Sequence, residues 1–277
     1  MPIKTALYQR GDAFNDRPEF SSVRLVSDMK GLAFSHFDAR YVLHRKIGGS
    51  VLKTFTGIKM KRIKARVNLT DDQIVKTIGD FLGAGFDPTA TAMKWVLLFL
   101  ADNPYVQEKV QREIDDVVGC NRLPTILDRS RLSYTEAMIL ESLRMGCIAP
   151  LALPHGTYED TELLGYDIPK DTVVFFNLYS SNYDEEVWNH PYEFRPERFL
   201  NKEGMVDNRA KENVLTFGVG RRRCVGEQLA RMELFLCLSI ILQRYVIRKP
   251  LGETYILKCD FSLIYEPKAI SNTRLYK

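Results

Sequence analysis

The chain has 277 residues, 45% of them hydrophobic and 27% charged, with a formal net charge of +4. This is the composition of a globular protein that can bury a core, and without a basic run interleaved with aromatics it excludes nucleic-acid binding as the main task. The five cysteines form no Cys-x-x-Cys pair, which argues against a disulfide framework or a zinc site and fits a reducing compartment.

No transmembrane segment is expected, because the apolar runs Trp95 to Ala101 and Phe235 to Leu242 fall short of the ~20 residues a spanning helix needs. In chain order, Thr70 and Gln73 have the spacing of a capping box. The pattern after them predicts one long helix from Asp71 to about Asp102, stopped by Asn103-Pro104. Its midpoint, Gly83-Ala84-Gly85-Phe86-Asp87-Pro88-Thr89, interrupts the pattern. Pro88 cannot donate to the Ala84 carbonyl, so a kink or groove is expected there. Pro104 opens an amphipathic helix through Val110, Ile114 and Val117 that ends at Gly119.

Ser133 and Glu136 are spaced to cap a further helix. Its Ala137, Met138, Ile139, Leu140 and Leu143 are apolar on nearly every side, so burial is expected and Glu141 and Arg144 within it must find partners. Leu151 to His155 and Thr172 to Phe176 have strand composition, with turn residues around Gly165 and Pro169 between them, which implies a small sheet.

The most specific segment is Phe217-Gly218-Val219-Gly220-Arg221-Arg222-Arg223-Cys224-Val225-Gly226. Gly218 and Gly220 allow a tight turn and close approach to a flat ligand, Arg222 offers a fixed cation for a carboxylate, and Gly226 leaves room beside a single thiol. A helix is predicted from about Glu227 to Arg244, so its free N–H groups and positive end lie near the sulfur. Gly218-x-Gly220 is no dinucleotide loop, since Arg223 stands where the third glycine belongs. A structural cysteine before an ordinary helix leaves Arg222 and the glycines unexplained.

Phe217, Gly220, Arg222, Cys224, Gly226 and Ala230 fill the pattern Phe-x-x-Gly-x-Arg-x-Cys-x-Gly with an alanine four residues on. In these residues the chain resembles the cytochrome P450 superfamily, in its animal microsomal branch, close to the aromatic-hydrocarbon and steroid 17-hydroxylase families. The resemblance implies a mainly α fold with a small β part (α+β), the P450 fold in incomplete form. It also implies haem b held by the Cys224 thiolate, which pushes electron density onto iron. Phe217 and Gly226 would flank the cofactor, and Arg222, His155 and Arg45 would hold its propionates. Arg45 lies in Tyr41-Val42-Leu43-His44-Arg45, where the family has Trp-x-x-x-Arg.

Ala84, Gly85, Asp87 and Thr89 match the family's oxygen-site pattern Ala/Gly-Gly-x-Asp/Glu-Thr-Thr, which makes Asp87 and Thr89 the expected catalytic residues and Ala84 and Gly85 the cofactor border. Pro88 departs from it, standing where the family's oxygen-activating threonine belongs, and Thr89 is rotated from that place by roughly 100°. Phe86, Leu151, Ala152 and Phe261 would touch substrate. Glu141 and Arg144 with the arginine of Pro196-Glu197-Arg198-Phe199 form the family's charge network, which would lock the loop before Cys224.

By resemblance, residues 1–55 are a partial N-terminal part reaching through the third major helix, 56–68 a shortened junction, and 69–277 the haem-binding core. The family's membrane anchor and pocket roof have no counterpart, as in a truncated or spliced product, with an apolar helix left uncovered. The expected activity is a monooxygenase acting on a lipophilic small molecule such as a steroid, lipid or xenobiotic. Electrons would come from NADPH through a flavoprotein reductase that meets Arg221 and Arg223. The family's place is the cytoplasmic face of the endoplasmic reticulum membrane; a chain without the anchor would be cytoplasmic. With Pro88 for threonine, a peroxide isomerase or dehydratase is the alternative, and an inactive haem-binding fragment is another.

Overall fold

The computed structural model describes residues 2–20, 31–55, 70–249, 264–267 and 274–276. The chain forms two compact units: residues 1–87, 151–176 and 217–229 make the first, and 88–150, 177–216 and 230–277 the second. The expected junction at 56–68 lies outside the described residues.

The first unit opens with a short helix α1 (Pro2–Lys4) that runs into a π-helical turn, Thr5–Gln9. Helix α2 (Ala39–Phe55) starts where the Asp38 carboxylate accepts the Tyr41 N–H at 2.7 Å, satisfying one of the orphan donors of a helix N-terminus. Helix α3 (Asp71–Asp102) starts at the capping box: the Gln73 N–H donates to Thr70 Oγ1 at 3.3 Å and the Thr70 N–H to Gln73 Oε1 at 3.1 Å. The two helices meet at His44 and Thr77, whose Nε2 and Oγ1 are 2.5 Å apart, and at Gly48, where a Cβ would lie 2.6 Å from Phe81 Cζ.

Helix α3 is the one long helix that the sequence predicts, and it continues through Pro88. Residues 82 to 87 are exposed, so the Ala84 carbonyl released by the proline faces water rather than an apolar interior.

The sheet part of this unit is small. Strand β1 (His155–Gly156) pairs antiparallel with β4 (Val173–Val174), and β2 (Thr161–Leu163) with β3 (Tyr166–Ile168). The β2–β3 turn has Leu164 and Gly165 at φ of 55° and 86°, the two positive values of the hairpin turn that matches strand twist. Asp16 and Gly156 exchange backbone hydrogen bonds and tie the N-terminal segment to β1.

The second unit is built on helix α5 (Ser133–Gly146), in which Ala137, Met138, Ile139 and Leu140 are fully buried. Its N-terminus corrects the sequence reading: Ser133 and Glu136 form no capping box. Glu113 of helix α4 (Pro104–Val117) instead accepts the Tyr134 and Thr135 N–H groups at 2.7 and 2.8 Å. Glu136 is drawn to Arg129 at 2.7 Å. A carboxylate brought in by packing supplies a full charge at the positive helix end, which a serine hydroxyl does not. Helix α4 itself has Pro104 in its first turn and ends at Gly119, φ 75°, whose N–H donates to the Ile114 carbonyl at 3.2 Å.

Short helices α6 (Leu178–Asn182) and α7 (Asn208–Glu212) follow, and helix α8 runs over the predicted span Glu227–Arg244, crossing the unit boundary. Strand β5 (Val246–Arg248) pairs antiparallel with β6 (Arg274–Tyr276).

Two residues of this unit give tests of the packing. At Gly146 a Cβ would lie 2.9 Å from Trp95 Cγ, and Trp95 is pinned by its indole N–H to the Tyr265 carbonyl at 2.8 Å. Gly146→Ala is therefore expected to cost about 1–3 kcal/mol, read as a lower midpoint in thermal melts. Asp128 is buried and accepts hydrogen bonds from Arg122, from the Thr125 backbone and hydroxyl, and from Arg131. The Arg122 bond, first among these, holds its carboxyl far below the usual carboxylate range. A depressed folded value contributes stability above the unfolded carboxylate pKa near ~3.9, lost as pH falls toward the folded value. Asp128→Asn is thus expected to lie well below the wild type in urea melts at pH 7, with the gap closing below about pH 3.

Candidate functional site

The cysteine loop lies in the first unit. Gly218 and Gly220 have φ of 68° and 73°, and residues Gly220–Arg222 form a 3-10 turn. The Cys224 N–H closes the loop on the Phe217 carbonyl at 2.8 Å. Gly220 is where glycine is indispensable, since a Cβ would also meet the Leu7 carbonyl oxygen at 2.5 Å. At Gly226 a Cβ would sit 3.9 Å from Cys224 Sγ, an ordinary contact.

The thiol of Cys224 is accessible, but protein atoms crowd the loop around it, and this desolvation raises it above its ordinary pKa. The N–H groups of Gly226 and Glu227 and the charge of Arg45 pull the other way, while the Glu227 carboxylate pushes it up. The opening of α8 thus directs two backbone donors at the sulfur. The isolated loop holds a thiol; a metal that takes the sulfur displaces its proton.

Beside the loop is a group of arginines, of which Arg17 is buried and Arg222 and Arg45 are half-buried. Arg222 donates from Nε to the Asn15 carbonyl at 2.8 Å and from Nη2 to the Ser35 carbonyl at 2.7 Å, and its guanidinium lies 3.9 Å over the Tyr41 ring. Its Nη1 is buried without a hydrogen-bond partner, as is the Ser35 hydroxyl. Arg17, which sequence reasoning gave no role, donates to the carbonyls of Ala33, Pro154 and Leu153 at 3.1, 2.7 and 3.3 Å. Burial, followed by the charge of Arg222, pushes its pKa down to about 9.

His155 is 4% exposed, with Nδ1 2.7 Å from the Phe14 carbonyl. Burial first, then Arg17, lowers its pKa to about 3, so its imidazole is neutral at working pH. Arg45 reaches the Tyr41 hydroxyl at 3.3 Å and also donates to the Arg223 carbonyl.

The chemistry of this donor set fits a flat group bearing carboxylates. Arg17, Arg45 and Arg222 converge with a neutral imidazole and an unspent buried guanidinium N–H, and Asp16 is the acid that acts on Arg17 and Arg222. An added carboxylate would neutralise charge that burial now disfavours. Local sequence carries no sign of Arg17, because its partners come from residues 33, 153 and 154.

The other predicted site residues are dispersed. Ala84, Gly85, Phe86 and Asp87 occupy an exposed stretch of α3, with Phe86 80% exposed, while Thr89 belongs to the second unit. Leu151 and Ala152 are half-buried in the first unit, Ala152 in the left-handed region at φ 56°. Phe261 lies outside the described residues. Arg221 pairs with Asp12, and Arg223 with Glu227 at 2.6 Å.

In the second unit, Glu141 accepts from Arg144 at 2.7 Å, from Arg198 at 2.9 Å and from the Arg195 N–H at 2.9 Å. Thr216, just before the cysteine loop in sequence, donates its hydroxyl to the Leu143 carbonyl of the same helix at 2.8 Å.

The family model described as Cytochrome P450 matches residues 50–270. Human cytochrome P450 1A1 is 46% identical over 201 residues, 73% of this chain and 38% of the human one. The rat protein of the same name is 40% identical over 243 residues, 87% of this chain and 45% of its own. The chain thus spans less than half the length of these relatives. A solved zebra fish cytochrome P450, in a structure with progesterone, has a TM-score of 0.89 at 22% identity, covering 100% of this chain and 92% of that one, a likeness of fold. No helix among the described residues is long and apolar enough to cross a membrane.

Proposed function

This chain belongs to the cytochrome P450 family, and from that premise we propose that it is a haem-thiolate monooxygenase that inserts one oxygen atom of dioxygen into a lipophilic small molecule, such as a steroid, lipid or xenobiotic. The observation that supports it best is one thiol under two backbone donors, beside a group of arginines in which Arg222 Nη1 is buried without a hydrogen-bond partner.

Haem, when bound, supplies oxygen activation that no side chain can perform. The rest falls to the protein. Cys224 would give up its proton and hold the iron from the loop. Gly220 lets that loop lie against Leu7, and Phe217 fixes its entry through the Cys224 hydrogen bond. Arg222 and Arg45, joined by Arg17, would hold the propionates; a neutral His155 spends its one N–H, at Nδ1, on the Phe14 carbonyl, so it would hold a propionate from Nε2 only by taking up a proton. Arg222→Gln shortens the side chain and removes the charge, so it is expected to weaken haem retention at least about tenfold, measured by haem transfer to an acceptor globin.

By the family pattern they match, Ala84 and Gly85 would border the oxygen site, and Asp87 and Thr89 would be its proton-handling residues. Phe86, Leu151 and Ala152 receive the substrate. Electrons come from NADPH through a flavoprotein reductase, at the cytoplasmic face of the endoplasmic reticulum. Arg221 and Arg223 face that partner, although each already has an acid beside it.

Pro88 favours a second reading, in which a peroxide is isomerised or dehydrated without reductase. Feeding a lipid hydroperoxide alone and, separately, NADPH with reductase and a lipophilic substrate decides between them. Product only in the NADPH arm supports the monooxygenase. Product only from hydroperoxide supports the second reading, and a chain that loses haem on a sizing column is an inactive fragment.

A further inference from the structure

The second unit carries an unbroken row of aromatic rings. Phe194 stacks on Phe99 with centroids 4.9 Å apart, Phe99 on Trp95 at 5.3 Å, and Trp95 on Tyr265 at 5.8 Å. Tyr265 meets Tyr179 edge-on at 6.4 Å, Tyr179 stacks on Tyr183 at 4.5 Å, and Tyr183 leans on Tyr192 at 5.3 Å. The chain has two tryptophans, and both join this cluster, since Arg144 lies 5.3 Å over Trp188 and 5.6 Å over Tyr183.

The rings differ in exposure: Trp95 is 3% exposed, Tyr179 38% and Tyr192 68%. Packing alone accounts for rings that touch. From Trp95 outward the row passes from a buried indole to phenols that reach water. Indole and phenol yield one electron more readily than any other ring side chain, and a phenol in contact with water can then shed its proton.

We propose that this row is a relay that carries one-electron oxidising equivalents from Trp95 across the Tyr265 ring to Tyr179 at the surface. A one-electron oxidant, such as an oxygen-derived radical, removes an electron from Trp95 and is reduced. Tyr179 returns an electron to the indole, releases its phenolic proton to water and remains as a neutral phenoxyl radical, which a dissolved reductant can quench. Tyr183 conducts onward to Tyr192 rather than holding the radical. Its hydroxyl donates to the Met145 carbonyl at 2.6 Å, and burial holds the phenol well above its ordinary pKa. The relay lies within one unit and does not rest on the function proposed above.

Red-edge ultraviolet laser excitation of the full chain ionises tryptophan and spares tyrosine, with nitrous oxide in the buffer taking the ejected electron. The transient spectrum is expected to show the indole radical converting to a phenoxyl radical at a rate independent of protein concentration. Tyr179→Phe keeps the ring and is expected to slow that conversion at least about tenfold, or about 1.4 kcal/mol in the barrier, while Tyr192→Phe leaves it unchanged. The proposal is overturned by an indole radical that decays with no phenoxyl growth, by a rate that rises with concentration, or by an unaltered rate in Tyr179→Phe.

Discussion

Glu141→Gln is expected to cost about 3–5 kcal/mol, enough to leave the second unit largely unfolded in modest urea, because it strands a buried cation. Glu141 and Arg144 are both 0% exposed. The carboxylate takes two bonds from Arg144, at 2.7 and 2.9 Å, one from Arg198 and one from a backbone N–H. A glutamine fits the same space, but its amide nitrogen points donors at donors. Arg144 would keep its bond to the Asn182 carbonyl at 2.6 Å and its place over two rings, with no negative charge nearby to offset its desolvation. The paired change Glu141→Leu with Arg144→Met is expected to lose less than Glu141→Gln, since it removes both charges. Urea melts followed by tryptophan fluorescence report this directly, as both tryptophans lie in that unit. A shift under about 1 kcal/mol would place the pair among weak surface bridges.

Cys224→Ala is expected to abolish NADPH-driven oxygenation and to leave haem held by the cations alone. The loop itself should survive, because the hydrogen bond to Phe217 comes from the backbone N–H and Gly220 is untouched. Circular dichroism of the variant should therefore match the wild type while turnover falls to background. Cys224→Ser tests the ligand further: its hydroxyl is nearly the same size, but it is a poor source of the electron-rich anion the iron needs. Turnover retained in either variant would assign the chemistry to another group.

The parts of the fold that local chemistry dictates were legible in sequence. The capping box at Thr70, the Pro104 start and Gly119 stop of α4, and the span Glu227–Arg244 each rest on contacts within a few residues. The N-terminus of α5 was not legible, because its cap is Glu113, some twenty residues upstream and on another helix. Arg17 was missed for the same reason: its three carbonyl partners are set by packing. The span of α3 was legible too, and the exposure of residues 82 to 87 lets the helix carry Pro88 with its freed carbonyl in water. Ile74, Val75, Ile78, Leu82 and Phe86 leave one apolar face of that helix exposed, consistent with a chain that matches under half the length of its relatives.

The central claim is that the Cys224 sulfur is an iron ligand. The carbon-monoxide difference spectrum of the dithionite-reduced, haem-reconstituted chain tests it, run beside Cys224→Ala. The wild type is predicted to give the long-wavelength Soret band of a thiolate-ligated haem, and the variant to lose it. The same long-wavelength band in Cys224→Ala, or its absence from a haem-loaded wild type, would contradict the account.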